Sequence, residues 1–145
     1  MRVDDDVVRA MGNMVIQAGH LEKAIQDLCL ELEAKQERPK TSQVLSARNN
    51  IKWCKTIIRQ HEGDAFNDLD TLLDKADNIL LKRNELIHGQ IYFDDYRPEV
   101  LMNKEKQREI RAKEIYELAE SMYQIHFNLP IDYAWKIFEF IYSEA

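Results

Sequence analysis

Three residues whose side chains are suited to phosphate chemistry stand within six positions of one another: Arg83, Asn84 and His88. A histidine can take up or release a proton near neutral pH, because its reference pKa is about 6.5. An arginine stays charged, and its planar fork of N–H donors matches the oxygens of a phosphate group. Arg83 also interrupts an apolar helical pattern, where an unpaired charge is costly to bury. These residues are therefore candidates for a site that moves protons and stabilises negative charge on phosphorus.

The candidate residues fall at the end of a predicted helix. Its apolar positions recur three and four residues apart, and Gly89 stands where a glycine would close it. Asn84 and His88 are one helical turn apart. Arg83 and His88 differ by about 140° in direction and about 7.5 Å in height, so they can border one pocket without occupying the same space.

The same apolar spacing predicts four amphipathic helices. Their predicted ranges are 4–35, 41–61, 65–88 and 112 to the end of the chain, with Thr41 or Ser42 and Asp64 as N-caps of the second and third helices. Pro130 is expected to kink or split the last helix. Around 90–103 the period changes, which predicts a short hairpin or loop insertion. Short connections between the first three helices imply an all-α, antiparallel up-and-down four-helix bundle in a single domain, 1–145.

Composition excludes several classes of protein. Cys29 and Cys54 are too few for a disulfide framework or a four-thiolate zinc site, and are expected to be small buried groups. The four histidines are scattered, so we predict no metal site and no cofactor. No apolar run approaches the roughly 20 residues of a membrane span. The chain is acidic, with a net charge of −6, and we expect a cytoplasmic protein that does not bind membranes.

The segment Arg83-Asn84-Glu85-Leu86-Ile87-His88 resembles the Arg-x4-His motif of the HEPN superfamily, in its Arg-Asn-x3-His variant. HEPN proteins are all-α domains of prokaryotic toxins, antiphage systems, CRISPR effectors and RNA-processing enzymes. In that superfamily the motif lies towards the end of a late helix, as predicted here. The resemblance covers the outline of the bundle and the six residues of the motif.

The resemblance implies a metal-independent endoribonuclease that acts as a toxin or a phage-defence factor. It implies that Arg83 binds the scissile phosphate, that His88 is the general acid or the general base, and that Asn84 orients the imidazole or donates to the phosphate. Attack by the 2′-oxygen of RNA would leave a cyclic phosphate and a 5′-hydroxyl. The resemblance further implies a homodimer in which two motif helices meet across a twofold axis.

Two groups of basic residues are candidates for binding the flanking RNA backbone. The first is a line on the second helix, formed by Arg48, Lys52, Lys55 and Arg59; the second follows the insertion and includes Lys104, Lys106, Arg108, Arg111 and Lys113. Among these, Arg48, Lys52, Lys104 and Lys106 are the predicted RNA-binding residues. The alternative interpretation of the basic line is a solvated helix face with carboxylate partners.

A second class of function stays open from the sequence: a non-catalytic HEPN-like helical dimer that binds RNA or a nucleotide, or that docks on a protein. In that interpretation Arg83 is a salt-bridged residue and His88 a helix cap. An antitoxin or another protein is a further candidate partner. HEPN toxins paired with a nucleotidyltransferase antitoxin commonly carry a tyrosine where this chain has Gln90, which counts against control through that tyrosine. Trp53 and Trp135 are expected to anchor the core or an interface.

Overall fold

The structure is a computed structural model that describes residues 5–38, 46–61, 63–87, 91–94, 97–103 and 108–143. Its elements are α1 (Asp5–Leu32), α2 (Ala47–Ile58), α3 (Asn67–Ile87), β1 (Ile91–Asp94), β2 (Arg97–Asn103), β3 (Arg108–Arg111) and α4 (Ala112–Tyr142). The predicted all-α class with four helices is therefore confirmed. Among the described helices, none has both the length and the apolar character that crossing a membrane requires.

Two helices begin later than predicted. Ser46 is the N-cap of α2, because its side-chain oxygen accepts a hydrogen bond from the backbone N–H of Asn49 at 3.2 Å. Thr41 and Ser42, the predicted caps, lie outside the described residues. Before α3 the backbone carbonyl of Asp64 accepts from the N–H of Asn67 at 3.2 Å, so Asp64 closes a turn instead of capping with its side chain. Gly63 supports that turn with a φ of 95°, which other residues rarely adopt.

Helix α4 continues through Pro130 as one element of 31 residues. Of the two predicted outcomes, a kink or a split at Pro130, the split therefore does not occur. A proline inside a helix lacks the N–H for one i→i−4 bond and crowds the preceding turn, at a cost of about 3 kcal/mol. Burial of the apolar face of α4 on both sides of Pro130 offsets that cost: Ile125, Leu129, Tyr133 and Ile137 are all buried.

The insertion after α3 is a three-stranded antiparallel sheet in the order β1-β2-β3. Its first two strands are the predicted hairpin. The third strand, β3, was not predicted, because only one of its four side chains, Ile110, is buried and three are charged. Ile110 pairs with Leu101 across β2 and β3, and both side chains are almost completely buried. This apolar cross-strand pair holds β3 to β2.

The residues group into two compact units, to which α1, α3 and α4 each contribute a different part. The first unit is Met1–His20 with Asn78–Gln124, and the second is Leu21–Asp77 with Ile125–Ala145. The buried residues of the first unit come from three helices and the sheet, and include Val7, Met14, Leu80, Leu86, Val100, Leu101, Ile115 and Met122. Those of the second come from all four helices, and include Leu21, Ile25, Leu32, Ile51, Ile57, Leu69, Leu73 and Ile137.

Cys29 and Cys54 are buried in the second unit, as expected for small apolar groups, and their sulfur atoms lie 2.9 Å apart. The Cys29 thiol also reaches the backbone carbonyl of Asn50, at 3.4 Å. The hydrogen bond from Cys54 lowers the pKa of Cys29, although burial opposes it. The same bond, together with burial, raises the pKa of Cys54 far above its ordinary value. Cys54 is therefore the thiol of the pair that is harder to deprotonate.

Candidate functional site

Arg83 and Asn84 lie in the last two turns of α3 and are held together by a hydrogen bond. The Nε of Arg83 donates to the Oδ1 of Asn84 at 3.0 Å, and both side chains are half-buried. This hydrogen bond uses one of the five N–H donors of the guanidinium. Asn84, the next residue on the helix, therefore sets the orientation of the Arg83 guanidinium plane. Because Oδ1 of Asn84 faces Arg83, the amide NH₂ is the group through which Asn84 can donate to an imidazole or a phosphate.

The apolar pattern that Arg83 interrupts is buried as predicted on the preceding turns. Leu69, Leu73, Ala76 and Leu80 are buried and Ile87 is half-buried, while Ile79 and Leu86 add to the buried face. Arg83 thus lies at the border of the apolar face, where its stem can pack and its charged end can reach outward. His88 and Gly89 lie outside the described residues, so the placement of His88 relative to Arg83 stays a prediction.

A cavity of about 440 Å³ lies beside the motif in the first unit. Its lining comes from α3, β3 and α4 and consists of Ile79, Lys82, Glu85, Leu86, Arg108, Glu114, Glu117, Leu118 and Ser121. Arg108 forms an ion pair with Glu114 in this lining. Neither Arg83 nor Asn84 lines the cavity, so the cavity and the motif occupy different faces of α3. This cavity could not be predicted from the sequence, because β3, which supplies part of its lining, was not recognised.

The basic line on α2 meets acidic residues of α3 in the second unit. Lys55 pairs with Asp74 and lies 3.7 Å from Asp70; Arg59 pairs with Asp70 at 3.2 Å, and Arg48 lies 3.8 Å from Asp77. We call these contacts the α2–α3 ion-pair ladder. The carboxylates come from the neighbouring helix, whereas the solvated-face interpretation placed them one turn away on α2 itself. Lys52 is exposed and has no carboxylate partner within the described residues.

The second basic group is paired in a similar way where the structure describes it. Arg108 pairs with Glu114, Arg111 lies 3.5 Å from Glu109, and Lys113 lies 3.9 Å from Glu117. Lys104 and Lys106, two of the predicted RNA-binding residues, lie outside the described residues. Exposed ion pairs contribute about 0–1 kcal/mol each, so a phosphate backbone can compete with these carboxylates.

The ladder predicts different roles for two lysines of α2. The free energy of unfolding of the Lys55→Met variant should be about 1–2 kcal/mol lower than that of the wild type, because the Lys55 side chain is only 15% exposed and its charge faces two carboxylates. Oδ1 of Asp70 is buried and forms no hydrogen bond within the described residues, and Lys55 is the cation beside it. The variant would leave Asp70 with Arg59, which contacts the other carboxylate oxygen. Denaturant titration measures the difference.

Lys52→Met is the matched control for this prediction. Lys52 lies one turn before Lys55 on the exposed side of α2, and its replacement should change the free energy of unfolding by less than about 0.5 kcal/mol. Equal effects in the two variants would mean that the ladder does not stabilise the fold.

Comparison with known proteins identifies no relative. No model of a known protein family matches the chain, and neither the curated proteins nor the solved structures contain a significant match.

Of the predicted site residues, the structure brings Arg83 and Asn84 into direct contact and engages Arg48 in an ion pair. It leaves Lys52 exposed. Among the described residues, no group of three or more histidine, cysteine, aspartate or glutamate side chains is arranged to hold a metal ion.

Proposed function

We propose that this chain is a metal-independent endoribonuclease of the HEPN type. The observation that carries the proposal is the hydrogen-bonded Arg83–Asn84 pair at the end of α3, one turn before His88 in the sequence. A guanidinium fixed by its neighbour is prepared for a phosphate without a further loss of side-chain entropy. The all-α architecture also agrees with the proposal.

In the proposed reaction the 2′-hydroxyl of RNA attacks the adjacent phosphorus atom. A bond forms between the 2′-oxygen and phosphorus, the bond from phosphorus to the 5′-oxygen breaks, and the leaving oxygen takes up a proton. The products are a 2′,3′-cyclic phosphate and a 5′-hydroxyl, and no water is consumed. Arg83 stabilises the negative charge on the non-bridging oxygens. His88 moves a proton, as general acid or general base, and the Asn84 amide donates to the imidazole or to the phosphate.

The proposal includes a homodimer in which the motif helices of two copies face each other and complete the site. RNA is the proposed partner, with Arg48, Lys52, Lys104 and Lys106 along its backbone. We place the protein in the cytoplasm and propose a role as a toxin or a phage-defence factor, with an antitoxin or another regulating protein as a partner.

The alternative is a non-catalytic HEPN-like helical module that binds RNA, a nucleotide or a protein. The α2–α3 ion-pair ladder favours a protein-binding module among these alternatives, because it neutralises much of the basic line that would hold RNA. The cavity beside α3 also favours it, because the cavity excludes Arg83 and Asn84.

Cleavage of RNA in the presence of EDTA tests the proposal. The wild-type protein should cut RNA and leave cyclic phosphate ends, and His88→Ala should cut at least about 100-fold more slowly, because general acid–base catalysis contributes that much or more. Product ends are identified by mass spectrometry, and total RNA and transfer RNA serve as substrates.

Two outcomes would contradict the nuclease. Equal cleavage by the wild-type and His88→Ala proteins would indicate a contaminant or another site. Binding of RNA or of a nucleotide without any cleavage, with helical content unchanged, would support the non-catalytic module.

A further inference from the structure

The second half of α4 is apolar on two opposite faces. One face is buried in the second unit and contains Ile125, Leu129, Tyr133, Ile137 and Phe140. The other is exposed and contains Phe127, Ile131, Trp135, Phe138 and Tyr142, which we call the α4 aromatic stripe. Successive stripe residues are three or four positions apart, so they lie on one side of the helix. A helix of a soluble monomer normally carries polar residues there.

The α4 aromatic stripe is large for an exposed apolar surface. Its five side chains are between 50% and 69% exposed, and Trp135 is the most exposed of them. Given the surface of such side chains, they present roughly 600 Å² to solvent, at the upper limit for the largest patch on a monomer. The rings also order one another: Trp135 stacks on Phe138 with centroids 5.6 Å apart, and Phe138 contacts Tyr142 at 4.7 Å. Trp135, Phe138 and Tyr142 therefore form one continuous aromatic surface within the stripe.

We propose that the α4 aromatic stripe is a dimer interface that binds the same stripe of a second copy in antiparallel orientation. A standard interface buries about 800 Å² on each partner, and the stripe supplies roughly three-quarters of that area. The rest would come from the polar residues that border it. Trp135, as a large and exposed aromatic side chain, would be the central anchor.

The spacing of the stripe fits a twofold axis. Along the chain its residues are separated by four, four, three and four positions, which is nearly the same in both directions. In an antiparallel pair centred near Trp135, Phe127 of one copy meets Tyr142 of the other, and Ile131 meets Phe138. Each apolar side chain thus finds an apolar partner, as a twofold interface requires.

The border of the stripe is charged and predicts the salt dependence of the dimer. Asp132 and Glu139 are exposed on one side of the stripe. In the antiparallel pair, these two carboxylates lie close to Asp132 and Glu139 of the second copy. Lys136 extends over the ring of Tyr133, at 5.6 Å, and moderates this acidic border. Because salt screens the repulsion between the acidic borders and does not weaken apolar contact, added salt should leave the dimer intact or tighten it.

The stripe interface is separate from the motif and does not rest on the proposed nuclease activity. Arg83 and Asn84 belong to the first unit, and the stripe belongs to the second. If copies also pair through their motif helices, the two interfaces together form a larger assembly. Loss of the stripe then reduces that assembly to the dimers that the motif pairing forms.

Sedimentation velocity of the full chain, at concentrations from 1 to 100 µM, tests the interface with the Ile131→Glu variant. We expect the wild-type mass to be at least twice the 17.2 kDa of one chain. Ile131→Glu should halve that mass and raise the dimer dissociation constant at least 100-fold, because a carboxylate would be buried among aromatic rings. Ile16→Glu is the matched control, since Ile16 is similarly exposed, at 58% against 65%, but lies on α1.

Circular dichroism should show equal helical content in the two variants, because both replaced side chains are exposed. A wild-type protein that is monomeric at 100 µM, or an Ile131→Glu variant that keeps the wild-type mass, would overturn the proposal. So would a stripe that binds single-stranded RNA while the protein stays monomeric, since aromatic rings also stack on bases. Equal loss of mass in Ile16→Glu would place the contact on another surface.

Discussion

In the proposed nuclease, replacing Arg83 by alanine should lower the single-turnover rate of RNA cleavage about 10³-fold, because charge stabilisation on the phosphate is usually the largest single catalytic contribution. The dissociation constant for RNA should change much less, since the interaction strengthens as negative charge develops in the transition state. Single-turnover kinetics over a range of protein concentrations separate the rate from the binding.

The Arg83→Lys variant divides the role of Arg83 into charge and shape. Lysine keeps the positive charge but has neither the Nε donor that reaches Asn84 nor the planar fork. We therefore expect an intermediate rate, clearly above that of Arg83→Ala and clearly below that of the wild type. A lysine variant with wild-type activity would mean that the contact with Asn84 contributes nothing to catalysis.

Arg9→Ala is the control for both variants, because Arg9 is an exposed arginine of α1 in the same unit. It should cleave RNA at the wild-type rate. The melting temperature of Arg83→Ala should stay close to that of the wild type, because Arg83 is half-buried at the border of the apolar face. If Arg83→Ala cleaves RNA at the wild-type rate, Arg83 has no catalytic role, and the interpretation of Arg83 as a salt-bridged residue stands.

Leu101→Ala should lower the free energy of unfolding by about 2–5 kcal/mol, because it removes buried methyl groups and leaves a cavity. Leu101 is only 2% exposed and faces Ile110 across the sheet, so the prediction tests whether the insertion is part of the core of the first unit. Chemical denaturation followed by circular dichroism measures the change, and the melting temperature should fall by several degrees.

Leu30→Ala makes the same chemical change where the side chain is 57% exposed, and it should cost less than about 1 kcal/mol. If the two alanine variants are equally stable, the sheet does not contribute to the core of the first unit.

The sequence alone was sufficient for the helices and the class of the fold. Apolar residues spaced three and four apart mark a helix face wherever they occur, and the buried residues of α1 and α3 follow that spacing closely. Arg83 was also visible from the sequence, because a charge that interrupts an apolar pattern needs no tertiary information to be noticed. The predicted start of the last helix, near residue 112, was also correct, because α4 begins at Ala112.

The ends of helices were less predictable. Ser46, Thr41 and Ser42 are all of residue types that are preferred at an N-cap, and the choice among them depends on where the chain must turn. The third strand was hidden because a short strand with one buried side chain has no pattern to recognise. Its partner, β2, supplies the hydrogen bonds that make it a strand.

Tertiary structure decided the partners of the charged and aromatic side chains. The carboxylates that neutralise Lys55 and Arg59 lie 11 to 19 positions away in the sequence, on a different helix. Cys29 and Cys54, 25 positions apart, likewise share a hydrogen bond only because their helices fold together. Trp135 was expected in the core or at an interface; its side chain is exposed, which excludes the core and agrees with the proposed stripe interface. Helical periodicity is a property of consecutive residues, whereas the pairing of side chains from different helices is fixed only when those helices pack.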